Sequence, residues 1–501
     1  MTRPTVRRLI RIGVLGAVPL FAGCIGTHGI APREHRLEAD QLATDEAIQS
    51  ANRDAGWPAA QWWRAYGDTQ LDAWIDTALA GSPTLAEAQA RVRLALSMAG
   101  AAEAAEQPRI DASASFTRHR WPDDYFYGPG DLARTTTWNN TTAIGLTYPL
   151  DFWGRERNTS ERYQSIAYMS AAQARAAQLE LESNIVRAYI QLSLQYAELD
   201  IGRAVLAQQR EILALAERRL AGGIGTHFEV SQAQVPLPEA ERRIEALEEA
   251  IALSRNQIAA LAGKGPGAGA AIRRPNLAPA ALPGLPSALP LELVGHRPDV
   301  VASRWQIAAE ARGVDVARAE FYPNINLAAD IGYDAVGGGM LEYLRGSKFN
   351  YSFGPALSLP LFDGGARRAQ LGAAAAAFDA AVARYNQTLV AALKGISDQL
   401  IRMRSMARQR QLADQSVAAA RKTYDIALRA YRGGLTDYLN VLNAQTRLFE
   451  QQRVEQQVRA AQLATHAALV VALGGGLLDD GDAPGERQLA PDTVAVQPGS
   501  R

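Results

Sequence analysis

Two stretches of this chain run without a proline for longer than a compact domain allows. None occurs between Pro149 and Pro236, nor between Pro360 and Pro484. Within the first stretch Ile185, Leu192, Leu199, Leu206, Leu213 and Leu220 recur at every seventh position. A sustained heptad defines a left-handed coiled seam, because about 3.5 residues per turn lies just below the helix's own repeat. Gly154 to Leu220 is 67 residues, or about 100 Å of helix at 1.5 Å per residue. A helix of that length belongs to a rod or a tube. The corresponding positions in the second stretch are Ile396, Met403, Arg410, Val417, Tyr424 and Tyr431, a weaker seam broken at Arg410.

The correspondence is an internal duplication at an offset of 211 residues. Pro149-Leu150 meets Pro360-Leu361, Gly222-Gly223-Ile224 meets Gly433-Gly434-Leu435, Ala233-Gln234 meets Ala444-Gln445, and Gly263 meets Gly474. Repeat one is expected over 69–263 and repeat two over 298–475, with a Pro/Ala/Gly-rich linker at 264–297 and a flexible tail at 476–501. Each repeat reads as helix, two strands, long helix, tight turn and return helix. Pro236 and Pro238 fall inside the first return helix and should interrupt it. Arg447 and Phe449 stand there in the second copy.

The strands are expected at 110–118, 140–150, 325–334 and 350–361. Ile110, Ala112, Ala114 and Phe116 alternate with Asp111, Ser113, Ser115 and Thr117, and Ile325, Leu327, Ala329 and Ile331 alternate with Asn326, Ala328 and Asp330. In the fourth segment Tyr351, Phe353, Leu357 and Leu359 share a face, with Pro355 breaking the pattern. Period two suits a half-buried soluble sheet, and equally a membrane barrel with apolar residues toward lipid. No later stretch approaches the roughly 18 apolar residues of a membrane helix, so any bilayer crossing is by strands. Four strands cannot close a barrel, for which about eight is the practical minimum. Two chains would supply eight and three would supply twelve.

The start of the chain favours export. Arg3, Arg7, Arg8 and Arg11 precede a short apolar run, Ile12 to Phe21, and then Ala22-Gly23-Cys24, the only cysteine in the chain. This is the layout of a secretory signal over 1–23. It resembles a bacterial lipobox, with Phe21 where an aliphatic residue is usual, and Cys24 would become the acylated start of a lipid-anchored segment, 24–68. Ile25 follows rather than Asp, which by resemblance to sorting patterns favours the outer membrane.

Lys plus Arg and Asp plus Glu are both 52, a net charge of zero that argues against nucleic acid as a partner. His28, His35, His119, His227, His296 and His466 show no metal-type spacing, and no nucleophile elbow, Walker loop or dinucleotide fingerprint occurs. Asp123-Asp124 and Asp479-Asp480 lie in turn-like sequence and read as solvated. No enzyme activity, cofactor or metal is expected.

The series Leu289-Pro290-Leu291, Arg297-Pro298-Asp299-Val300 and Phe321-Tyr322-Pro323 is similar to the opening of the second repeat in TolC-family outer-membrane factors, in their lipoprotein (NodT/OprM-like) branch. Pro360-Leu361-Phe362-Asp363-Gly364-Gly365 and Leu439-Asn440-Val441-Leu442-Asn443 resemble the same family. The resemblance implies a mixed α and β membrane protein. It would be a homotrimer with a 12-stranded outer-membrane β-barrel continuous with a 12-helix periplasmic α-barrel, held in outer-membrane lipid. It implies a passive exit duct serving a periplasmic adaptor (membrane fusion) protein and an inner-membrane pump of the resistance-nodulation-division type.

Two sets of site residues follow. Gly222, Gly223, Ile224, Thr226, Gly433, Gly434, Leu435 and Thr436 form the turns between helices. Glycine there is explained by the φ > 0 of a tight helical hairpin, whereas an exposed Ile or Leu followed by Thr is not. By resemblance these tips meet the adaptor. Glu229 and Gln232, matched by Asn440 and Asn443, share a helix face at i, i+3 and would line the periplasmic aperture, or else are ordinary solvated polar residues. Many members of the family it resembles carry aspartates at the second pair, so this mouth should be less cation-selective than theirs, unless Glu229 compensates. The competing reading is a non-conducting periplasmic coiled-coil lipoprotein with a structural role, which has no use for the four strands.

Overall fold

The computed structural model describes residues 27, 29–38, 42–43, 45–49, 57–122, 132–278 and 296–476. Cys24, Leu289-Pro290-Leu291, the Asp123-Asp124 and Asp479-Asp480 pairs and all but the first residue of the tail lie outside them. The chain divides into two compact units. One comprises Val92–Met169 and Ser303–Tyr385 with the segment ending at Arg36. The other comprises Leu37–Arg91, Ser170–Ala302 and the part from Asn386 onward.

The first unit carries a four-stranded antiparallel sheet in the order β1 (Arg109–Arg120), β2 (Thr136–Pro149), β3 (Asn324–Val336) and β4 (Phe349–Ser358). Pro355 lies within β4, as in the strand expected at 350–361, and pairs opposite Leu327. It is tolerated because β4 ends the sheet, where a residue without an N–H can face the open edge.

The helices of eight residues or more among the described residues are α1 (Thr69–Gly81), α2 (Pro83–Ala105), α3 (Arg155–Ala221), α4 (His227–Gln234), α5 (Pro236–Leu261), α6 (Pro298–Ala319), α7 (Ala366–Arg432) and α8 (Tyr438–Ala472). Helices α3 and α7 have 67 residues each, and both their starts and their ends are 211 positions apart. The heptad seam of α3 is buried at Ile185, Leu192 and Leu199. The charged residue Arg410 in the seam of α7 does not end the helix. The helix continues through it, with the guanidinium donating to Gln462 Oε1 of α8 at 3.2 Å.

In the second unit Tyr66, Leu71 and Ile75 pack with Ile185, Tyr189, Leu192, Ile258 and Val470. Ile272 and Leu277, from the stretch read as a linker, belong to the same core. The Asn276 N–H donates to Asp68 Oδ2, and the Ala278 N–H to the Tyr66 carbonyl. The described part of that stretch is therefore fastened down; its composition predicts only a lack of regular structure. Glu182 is buried here, accepting from the Trp62 indole at 3.1 Å and the Gln178 amide at 2.9 Å. Burial pushes its carboxyl above the usual range, with Arg175 and these donors pulling back.

A strap of chain before α1 follows α7. The Arg33 and Glu34 N–H groups donate to Asp379 Oδ1 at 2.8 and 3.0 Å, and the Leu37 N–H to Asn386 Oδ1 at 2.8 Å. Further along, Asp45 accepts from the Ser397 hydroxyl and Arg404 donates to the Ala47 carbonyl.

Candidate functional site

The sheet has two chemically distinct faces, fixed by register. Ile110 is opposite Leu146, Ile144 opposite Ile331, Ile331 opposite Tyr351, and Ala329 opposite Phe353. These residues share one face, and Ile110, Ile144, Ile331, Tyr351 and Phe353 are all exposed. The other face has Asp111 opposite Gly145, Gly145 opposite Asp330, and Asp330 opposite Ser352. Alternation puts these two sets on opposite sides of the pleat. An exposed apolar face of this extent demands an apolar neighbour, and a polar reverse face suits water.

At the far end of the long helices both turns are Schellman motifs. The Ile224 N–H bonds the Arg219 carbonyl and the Gly223 N–H that of Leu220; the Leu435 N–H bonds the Ala430 carbonyl and the Gly434 N–H that of Tyr431. Gly223 and Gly434 sit at φ of 72° and 74°, which the motif requires and glycine adopts freely. The motif usually seats an apolar residue where Ile224 and Leu435 stand. Here they are 71 % and 86 % exposed, so their apolar surface is not used within the chain.

The return helices then start differently. Thr226 caps α4 in a capping box: its Oγ1 accepts from the Glu229 N–H at 3.2 Å, and Glu229 Oε2 accepts from the Thr226 N–H at 3.1 Å. Asp437, at the same position in the second half, caps α8 by accepting from the Asn440 N–H at 3.1 Å. The Asn440 amide donates to Asp437 Oδ1 and to Thr436 Oγ1. Glu229 and Asn440, read as aperture residues, thus spend side-chain hydrogen bonds on helix starts. Gln232 is half-buried on α4 and Asn443 exposed on α8; neither is drawn to the other.

Behind the tips lies a cluster that periodicity alone does not single out. Tyr424, Tyr431 and Tyr438 pack with Ile212, Ala216 and Val441. The Arg219 guanidinium lies 4.8 Å from the centre of the Tyr431 ring. The Tyr431 and Tyr438 hydroxyls are buried without a hydrogen-bond partner among the described residues. Burial pushes the Tyr438 phenol up to about 12. Tyr424 and Tyr431 are visible in the sequence as the end of the weak seam, but their neighbours on α3 and α8 are not.

Among the described residues no three His, Cys, Asp or Glu side chains come together to hold a metal ion, and no helix is long and apolar enough to cross a membrane.

The family model described as "Outer membrane efflux protein" matches residues 74–264 and 289–475. The chain is 51 % identical over 374 residues to the fusaric acid resistance protein FusA of Burkholderia cepacia, covering 75 % of this chain and 71 % of that one. It is 30 % identical to the multidrug resistance outer membrane protein MdtP of Shigella flexneri, over 95 % of this chain and 98 % of the relative. The crystal structure of the outer membrane protein VceC of Vibrio cholerae is 34 % identical and superposes with a TM-score of 0.79, covering 84 % of this chain and 100 % of that chain.

Proposed function

The chain belongs to the outer membrane efflux protein family, and from that premise we propose that it is the outer-membrane channel subunit of a tripartite efflux system, a passive duct for small molecules driven outward by an inner-membrane pump through a periplasmic adaptor. The observation that carries this reading is the two-faced sheet: an exposed apolar side for lipid and a polar side for a wet lumen. A non-conducting periplasmic scaffold would leave that apolar side without a neighbour.

Three chains would bring twelve strands to a closed barrel and their helices to a tube, from the two repeats in each chain. Cys24 would carry the lipid anchor, through which the duct is tied to the outer membrane as well as held by its barrel. Ile224 and Leu435, presented by their Schellman turns beside Thr226 and Thr436, would dock the adaptor. Glu229, Gln232, Asn440 and Asn443 would surround the periplasmic mouth through their backbone positions at the helix starts. The names of the relatives, fusaric acid resistance and multidrug resistance, support small organic molecules as cargo.

The test is detergent extraction of the mature protein from the outer membrane, with mass measurement and planar-bilayer recording of the same sample. Three protomers and discrete conductance are expected. A monomer, or a trimer that never conducts in the presence of its adaptor, would overturn the reading.

A further inference from the structure

Within the second unit, α3, the start of α5 and α8 line a half-open cavity of about 300 Å³, at the small end of the usual range for ligand pockets. Its apolar wall comes from Ile201, Val205, Pro236 and Phe449. Pro236, the first residue of α5, stands at the edge.

Its polar groups are unequally engaged. Gln209 is 8 % exposed, and its Oε1 is buried with no hydrogen-bond partner among the described residues. Arg453 Nε is in the same state. The acids at the rim are committed elsewhere: Glu239 to Arg242 at 2.6 Å, Glu450 to Arg447 at 3.5 Å, and Glu198 to the Gln457 amide at 3.0 Å. Arg243 makes no ion pair within 4.0 Å among the described residues and acts on Glu239 only at longer range. What remains is one buried acceptor, one buried cationic donor, a second guanidinium at the rim, and an aromatic wall. A buried polar group left unpaired is costly, so this constellation calls for an occupant.

We propose that this cavity binds a small aromatic carboxylate that carries one N–H or O–H donor. The carboxylate would meet Arg453 and Arg243, for which charge-assisted pairing is strongest. The ring would lie on Phe449 and Pro236, and the donor would reach Gln209 Oε1. The site lies among helices rather than on the sheet, and its occupancy ties α3 and α5 to α8. The inference does not depend on conduction, so its failure and that of the duct reading are distinguishable.

The experiment is equilibrium dialysis of radiolabelled indole-3-acetate against the full-length protein in detergent, with unlabelled indole, which lacks the acid, and 1-naphthaleneacetate, which lacks the N–H, as competitors. Saturable binding of one molecule per chain is expected, with each competitor weaker by about tenfold. Arg453→Met should weaken indole-3-acetate by about tenfold or more and leave indole unchanged. Gln209→Leu should bring indole-3-acetate down to the affinity of 1-naphthaleneacetate. Absence of saturable binding, equal affinity for all three compounds, or unchanged binding in both variants would show a cavity filled by water alone and overturn the proposal. If either variant fails to fold, the three compounds on the unaltered protein decide the matter.

Discussion

The two halves of the chain solve the same problem at the same place in different ways. Each ends a 67-residue helix with a Schellman turn and sends the chain back. In the first half the return starts on a capping box, runs eight residues, and is interrupted at Val235 before α5 begins at Pro236. In the second it starts on Asp437 and runs 35 residues without interruption. The turns differ too. A Cβ on Gly225 would come within 2.7 Å of the Leu220 backbone nitrogen, so no side chain fits there. The matching residue, Thr436, carries one that accepts a hydrogen bond from Asn440. Identical turn geometry therefore leaves the flanking sequence free to put an interruption, a joint between two helices, into one hairpin arm and to run the other as a single helix.

The contrast should be easiest to break at Tyr438 and its counterpart, His227. Tyr438 is buried in the aromatic cluster and His227 is exposed. Tyr438→Ala is expected to cost about 3–5 kcal/mol, as for other large-to-small core changes. His227→Ala should cost less than about 0.5 kcal/mol. Tyr438→Phe should be close to neutral, because the hydroxyl it removes has no partner. Denaturant unfolding of the detergent-purified protein measures all three, and equal losses at 227 and 438 would dissolve the contrast.

Next in size is the joint itself. Arg447→Pro puts into α8 the residue that opens α5, and should cost about 3 kcal/mol by removing a helical hydrogen bond and clashing with the preceding turn. The reverse change, Pro236→Arg, should cost little, since proline at a first helical position is favourable but replaceable. Thermal midpoints of the two variants would show the asymmetry; comparable losses would mean that the break at Val235 is not a joint.

The caps offer a finer comparison. Thr226→Ala and Asp437→Ala should each cost about 1 kcal/mol. Glu229→Ala should cost more than Asn440→Ala, because Glu229 accepts from a backbone N–H while the Asn440 amide donates only to side chains. Unfolding of the four variants ranks them.

Much of this was legible in the sequence because glycine, proline and heptads act locally. The 211-residue offset aligned Gly223 with Gly434, and the prolines marked the interruption. Side-chain destinations were less legible. Glu229 and Asn440 looked like a matched pair facing a lumen, yet each bonds to a residue three or four positions away. The cap signal is present in the sequence, with Thr226 and Glu229 at capping-box spacing and Asp437 just before α8. Pro355 lies inside a strand that ends the sheet, and which strand ends the sheet is not written in that strand's own sequence. The cavity beside Phe449 draws on three segments, one of them more than 200 residues from the other two, and no local pattern records it.

The smallest effect lies at the start of α7. Asp363 is held at about 2, first by the Arg367 side chain and then by the Gly365 N–H. Its folded value lies below its unfolded one, so its contribution is complete above about pH 4 and lost as the pH falls through about 2. The gap in thermal midpoint between the wild type and Asp363→Asn should therefore close on acidification. A constant gap would mean that the residue acts through something other than its charge.

The strap along α7 bears on the order in which the molecule is finished. Arg33 is separated from Asp379 by 346 positions, and Asp45 from Ser397 by 352. The segment carrying Arg33, Glu34 and Leu37 therefore waits for α7, and until then these N–H groups have only water. Contacts of such separation close late, after the loop entropy between them has been met by other structure. This strap is thus a completion mark: it lies down only once α7 has been made.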